Sequence, residues 1–402
     1  MDLHQRLRLL TKLVPEQPAN VAAAPVCLGQ DFELPAEERS LSEPTTELAA
    51  LADACLLAEL KEFDWRQVAF IDTETTGLST GTGTYVILLG IGTIFEGSLR
   101  VRQYFLPEPA AEDAFWQQVL PELQPFPVLC TFNGKSYDLP LINTRLTLMR
   151  LPPLAPQAHL DLLYPARRLW RRILPSCALQ SLEQHRLHSQ REDDLPGALI
   201  PSIYYDYLKT GDRKLLQGIF LHNRRDVFSL MELALQMAVN CAQPQAHFGR
   251  AEEFFGLAEA HLRNGQTGAA LDMIGLGLAR PGDQRLKRQY LQRLAKLHTR
   301  LGEYEQAEAA WSELAALEPL SPTAQVELAK LYEHRQRNLS AALRAARQAL
   351  AICRRRESMG IPAPAAERAA LAKRLQRLER RWERAAANMD LRKEGVHPVN
   401  DR

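Results

Sequence analysis

VAFIDTE, residues 68–74, is an apolar run that closes on two carboxylates one residue apart. Val, Phe and Ile suit a pleated, half-buried backbone, so the run reads as a strand. Side chains alternate along a strand, which puts Asp72 and Glu74 on the same side. Two carboxylates on one face make half of a site for a hard divalent cation.

Outward from this run, YVILLGIGTIF and SLRVRQYF read as two more strands, separated by glycine-bearing turns, and a helix is expected over residues 111–123. PVLCTF, residues 127–132, is a fourth strand; a helical stretch over 139–148, a fifth strand around 159–163 and further helices toward 240 follow. Strands first, then strand–helix alternation, predict an α/β domain over residues 65–240, with a mixed five-stranded sheet flanked by helices.

Two further acidic positions lie in this region. NGKSYD, residues 133–138, places a glycine where a tight turn forms and sets Asp138 at the opening of a helix, where a carboxylate can equally serve as a cap. In LLQGIFLHNRRDVFSLMELAL, residues 215–235, His222 and Asp226 stand four apart on one helix face; alone they read as an ordinary surface pair. Carboxylates gathered together repel one another and resist joint ionisation unless cations are present, and hard oxygen donors suit Mg²⁺ or Mn²⁺.

The order strand end, helix start, late helix for these acids resembles the DEDD exonucleases of the DnaQ-like superfamily. The phrases FIDTETTGL, GTGTY, TFNGKSYDLPLI, HLDLLYPARRLWRR, LPSC, REDDLPGALIP and HNRRDVFSL are similar to the YprB-type ribonuclease H-like family over residues 66–240. The resemblance implies a 3′→5′ exonuclease acting on nucleic acid. It implies two divalent cations, Mg²⁺ or Mn²⁺, held by Asp72, Glu74, Asp138 and Asp226, with His222 as general base. In the His-type enzymes of this superfamily the histidine precedes the last aspartate by five positions. His222 precedes Asp226 by four, the tyrosine-type spacing, so the base and a water-orienting role both stay open for it.

Asn133 and Lys135 are candidates for contacting a substrate phosphate, with a purely structural turn as the alternative. Arg167, Arg168, Arg171 and Arg172 recur at helical spacing around Trp170 and are expected to form one basic, phosphate-binding patch, or else a solvated helix face. Asp161, Asp193 and Asp194 are expected to bond turns or caps, with support of the metal ligands from behind as the alternative.

The remainder sets the frame. Across 402 residues, 49 Lys and Arg nearly balance 48 Asp and Glu, so nucleic-acid affinity has to come from local patches. Six scattered cysteines, without a C-x-x-C pair, argue against a zinc ribbon or a disulfide framework. The absence of a signal-like apolar segment leads to the expectation of a soluble, cytoplasmic protein. Residues 1–64 read as a proline-bearing extension with one helix over 47–60. Residues 248–355 are helical and self-similar, with Gly265 and Gly302 in corresponding places; they resemble tetratricopeptide repeats and imply an all-α domain that binds a protein partner or substrate. A charged helix and tail complete the chain over 365–402. Against the enzyme stands a catalytically silent nucleic-acid-binding or protein scaffold of the same fold; the presence of all four acids favours the enzyme.

Overall fold

A computed structural model describes residues 27–28, 44–77, 81–95, 98–191, 194–361 and 365–393. The chain divides into two compact units, Met1–Gln266 and Thr267–Arg402.

The first unit is built on one sheet. Its strands are β1 (Cys27–Leu28), β2 (Val68–Thr75), β3 (Val86–Phe95), β4 (Ser98–Phe105), β5 (Val128–Thr131) and β6 (Ala158–Asp161), in the order β1-β4-β3-β2-β5-β6. β2, β3 and β4 are antiparallel, whereas β5 and β6 run parallel to β2. The five expected strands thus form a mixed sheet. The sixth, β1, pairs two residues with the β4 edge and is too short to leave a periodic pattern in sequence.

Alternation along the strands separates two faces. Ala69, Ile71, Leu89, Ile91 and Leu129 bury one face beneath Phe115, Trp116 and Val119 of helix α2 (Glu112–Leu123) and Leu141, Ile142 and Leu146 of helix α3 (Asp138–Leu148). The other face of β2, β3 and β4 is crossed by the long helix Gln217–Ala242. Glycines make that approach possible. A Cβ on Gly90 would stand 2.4 Å from Asn223 Oδ1 and 2.7 Å from Val227 Cγ2, and one on Gly92 2.4 Å from Met231 Sδ.

The longer helices of this unit are, with α2 and α3, α1 (Pro44–Cys55), α4 (Leu163–Trp170), α5 (Ile200–Thr210), α6 (Gln217–Ala242) and α7 (Ala251–Arg263). The helix expected over 47–60 is shorter, because Leu56 turns to φ +64° and the chain continues as the 3-10 turn Ala58–Glu62. Repeats were expected from residue 248, yet α7 belongs to the first unit. Its Gly256 lies so close to α4 that a Cβ would be 2.2 Å from the Arg168 carbonyl oxygen, and Trp170 Nε1 donates to Glu253 at 3.0 Å.

In the second unit, α8 (Thr267–Leu278), α9 (Gln284–Leu301), α10 (Tyr304–Leu317), α11 (Thr323–His334), α12 (Leu339–Ser358) and α13 (Ala365–Lys393) follow in sequence, each packed on the next. Gly302 ends α9 at φ +81°, the left-handed cap that glycine adopts without strain. Leu291, Ala307, Trp311, Leu328 and Ala346 form the core. The C-terminal helix is more than a charged face. Leu378 enters this core, and Arg374, Arg377 and Arg381 converge on the buried Glu333 at 2.7–3.0 Å. Among the described residues no helix is long and apolar enough to cross a membrane.

Candidate active site

β2 carries Asp72 and Glu74 on the α6 face of the sheet, opposite Gly90 and Leu88 of β3. Because β3 is glycine there, the α6 side chains reach β2 directly. Asn223, fully buried, donates from Nδ2 to Asp72 Oδ2 at 2.8 Å and to the Asp72 carbonyl at 3.1 Å. Its own Oδ1 accepts from Gln103 Nε2 at 2.9 Å, and Gln103 also donates to the Phe220 carbonyl at 2.8 Å. One turn apart on α6, His222 and Asp226 face Glu74. His222 Nε2 lies 3.9 Å from Glu74 Oε1 and 3.8 Å from Asp226 Oδ2.

Asp138 arrives from another direction. It is the first residue of α3 rather than its cap, is buried, and accepts a hydrogen bond from Thr73. The preceding turn is held from below by Asp161, which accepts from the backbone N–H groups of Asn133 (2.8 Å), Lys135 (3.0 Å) and Leu163 (3.1 Å). Asp161 therefore bonds a turn, as expected. Asn133 takes φ +66°, and a Cβ on Gly134 would press to 2.4 Å from Thr131 Oγ1, so this turn tolerates little besides glycine.

Behind His222 stands a cluster of which the sequence singles out only Asp194, and the structure gives that residue the supporting place behind the site rather than a turn or cap. Asp194 places both carboxylate oxygens 3.1 Å from His222 Nδ1. Arg191 donates from Nε to Glu183 Oε2 at 2.6 Å and from Nη1 to Asp194 Oδ2 at 2.7 Å, and its Nη2 pairs with Asp226 Oδ1 at 2.6 Å. Arg191, Asp194 and Asn223 lie inside REDDLPGALIP and HNRRDVFSL; nothing in the spacing of those phrases joins them. Asp193 lies outside the described residues.

The electrostatics follow from this crowding. Burial pushes Asp72 well above the ordinary carboxylate range, and the charges of Asp226, Glu74 and Asp138 push it further. Burial does the same to Glu74, reinforced by Asp226, Asp138 and Asp194. Burial raises Asp138 to about 6 against the bond from Thr73, and raises Asp226 against the charges of Arg191 and His222. Asp194 differs: burial works upward, but the bonds from Arg191 and His222 hold its carboxyl below the ordinary value. The site thus keeps four mutually repelling acids at its centre and one ionised acid behind the imidazole.

The donor set fits hard divalent cations, being all oxygen, largely desolvated and under-neutralised. Among the described residues no three His, Cys, Asp or Glu side chains are drawn into a closed metal shell. Thr73, Asn223 and Arg191 each engage one carboxylate oxygen of this set, on Asp138, Asp72 and Asp226 respectively.

The other expected contacts are placed unevenly. Asn133 and Lys135 are exposed in the loop ahead of Asp138, with Lys135 Nζ 5.9 Å from the Tyr164 ring centre. The single arginine patch is divided, because α4 stops at Trp170. Arg168 donates to the Ala54 carbonyl at 2.6 Å, Arg172 lies 4.4 Å over the Phe255 ring, and Trp170 is fully buried. Arg167, Arg171 and Arg172 are exposed, and Arg168 is partly buried.

Comparison with known proteins agrees with this geometry. Residues 69–238 match a family model described as RNase_H superfamily. Over 295 residues the chain is 34% identical to the "Uncharacterized protein YprB" of Bacillus subtilis (strain 168), covering 72% of this chain and 70% of that protein. With the acids of the sheet and of α6 gathered as described, the chain belongs to the YprB family, and its first unit carries a ribonuclease H superfamily domain.

Proposed function

We propose that the first unit hydrolyses phosphodiester bonds of nucleic acid, removing nucleotides from a 3′ end, with two divalent cations held by Asp72, Glu74, Asp138 and Asp226. The observation that carries this reading is the gathering of four desolvated carboxylates, Glu74 and Asp138 buried and Asp72 and Asp226 partly so, whose charges oppose one another's ionisation; among the described residues Arg191 is the one guanidinium paired to them, and the His222 ring stands beside Glu74 and Asp226. Such a cluster is costly by itself and becomes favourable when cations enter. Bound there, the two cations would supply Lewis acidity at the scissile phosphate and at the leaving oxygen.

The protein's own groups set the remainder. Asp194 accepts from His222 Nδ1, which leaves Nε2 as the acceptor and turns it toward Glu74 and Asp226. From there His222 takes the proton of the attacking water, or orients that water. Asn223 fixes the Asp72 carboxylate by one oxygen and leaves the other for a ligand. The exposed Asn133, Lys135, Arg167 and Arg171 are the candidates for contacting substrate phosphates; Arg168 is engaged with the Ala54 carbonyl, and Arg172, though exposed, lies over the Phe255 ring. The self-similar helices of the second unit, with Gly302, Tyr304, Ala307, Trp311 and Pro319 in a tetratricopeptide-like pattern, would bind substrate or partner.

The test is incubation of the purified chain with 3′- and 5′-end-labelled single- and double-stranded DNA and RNA, with Mg²⁺, Mn²⁺ or EDTA. Stepwise shortening from the 3′ end that needs the cation is expected. Intact substrate in every metal-containing lane would refute the reading.

A further inference from the structure

The near-zero net charge of the chain hides an uneven division. Residues 1–266 hold 24 Lys and Arg against 32 Asp and Glu, a net charge of −8, whereas residues 267–402 hold 25 against 16, a net charge of +9. The acid surplus lies in the unit proposed to cut a polyanion. Long-range attraction of that polyanion must therefore come from the helical unit.

The positive charge there is concentrated. α9 carries six Lys and Arg and no Asp or Glu. Its Lys296 and Arg300 line a groove of about 640 Å³ together with Lys330, His334 and Arg335 from α11 and its end. The one acid of this lining, Glu327, is taken by Lys330 at 2.7 Å. Lys296, Arg300 and Arg335 are exposed and have no ion-pair partner among the described residues. Through Glu327 and Lys330 the groove adjoins a second, of about 660 Å³, lined by Lys373, Arg374 and Arg377 of α13. There three guanidiniums share the single Glu333, leaving positive charge in excess.

We infer that this double groove, running from Lys296 and Arg300 past Lys330 to Lys373, binds the sugar-phosphate backbone of a nucleic-acid strand. The inference rests on the proposed function for its choice of occupant. Two adjoining hollows with cations along both suit a ligand whose charge repeats along its length, and guanidinium groups favour phosphate. Binding here would hold a strand by its backbone without reading its bases.

The experiment uses the full-length protein in EDTA, so that affinity is read without turnover and stays informative even if no cleavage is ever found. Anisotropy of a fluorescein-labelled oligothymidylate is followed over a salt series for wild type, for Lys296→Gln/Arg300→Gln/Arg335→Gln, and for the control Arg337→Gln/Arg354→Gln/Arg355→Gln, which removes equal charge from exposed positions outside the groove. The groove variant should bind roughly tenfold or more weakly at low salt, and its slope of log affinity against log salt should fall by about 2, as expected for three lost phosphate contacts to a single strand. The control should change little. Equal effects in both variants, or none in the groove variant, would overturn the inference, as would tighter binding of a polyglutamate peptide than of the oligonucleotide. Should the triple variant melt early, Lys296→Gln and Arg335→Gln singly carry the same comparison.

Discussion

Arg191 is held by Glu183 and Asp194 and in turn holds Asp226. Its removal strands a buried Glu183, so Arg191→Gln should destabilise the fold by about 3 to 5 kcal/mol, read by urea unfolding. Arg191→Lys should recover only part of this, since an ammonium lacks the fork that serves three acids. Asp72→Asn and Asp226→Asn should each abolish cleavage yet leave the metal-free melting temperature unchanged or higher, because burial opposes the charge of both and, at Asp72, the neighbouring acids oppose it as well. Both should also lose the rise in melting temperature that Mn²⁺ gives the wild type. Undiminished cleavage by either would end the two-cation reading. For His222→Ala, turnover should fall by about 10² to 10⁴ while oligonucleotide affinity holds. Recovery by His222→Tyr would identify the side chain as a water-orienter. At this scale the four acids and His222 were legible because each stands in a short phrase with its own local logic. Arg191 was not, and Asp194 stood out chiefly as a residue for a turn or cap: it meets His222 across 28 residues of chain, and sequence spacing carries no trace of such an encounter.

At the scale of elements, the site depends on how closely α6 lies on β3. Gly90→Ala would drive a methyl group into Asn223 and Val227, which are held by the sheet beneath and the helix behind. The expected cost is about 1 to 3 kcal/mol of stability. Because Asn223 and His222 share that helix, activity should fall in the same variant even where it remains folded, as circular dichroism and the cleavage assay would together show. A fully active Gly90→Ala protein would mean that α6 has room to shift. The strands were readable because their apolar runs are bounded by glycine and charge; β4 over Ser98–Phe105 coincides with SLRVRQYF. The limits of α1 were not, since Leu56, a residue with no preference for the left-handed region, closes the helix there while the Leu57 N–H bonds back to the Ala52 carbonyl at 3.1 Å.

For the molecule as a whole, the raised acids tie stability to pH. Asp138, raised from an ordinary 3.8 to about 6, binds its proton more tightly folded than unfolded. Its contribution is therefore fullest below the ordinary carboxylate range and is lost as pH rises through about 6; Asp72, Glu74 and Asp226 act with the same sign. In EDTA the melting temperature should fall between about pH 5 and about pH 8, and the gain on adding Mn²⁺ should widen over the same interval. A melting temperature that climbs across that interval without metal would contradict the raised carboxyls of this cluster. The helical character of the second unit was evident from its periodicity, but its beginning was not. The first helix that shares the repeat texture, α7, is claimed by α4 through Gly256 and Glu253, a preference set by surfaces that meet only after folding.

The division of charge between residues 1–266 and 267–402 also bears on how copies of the chain meet one another. A protein with one acidic and one basic part and almost no net charge behaves as a block polyampholyte: the acidic part of one copy attracts the basic part of the next. Such contacts are heterologous and need not close, so at low ionic strength the protein should form open-ended, salt-soluble clusters near its isoelectric point of about 7.7. Light scattering should rise on dialysis into low salt and collapse on adding either sodium chloride or a non-cleavable oligonucleotide. The same attraction that draws a strand onto the helical unit would then keep the protein's own copies apart.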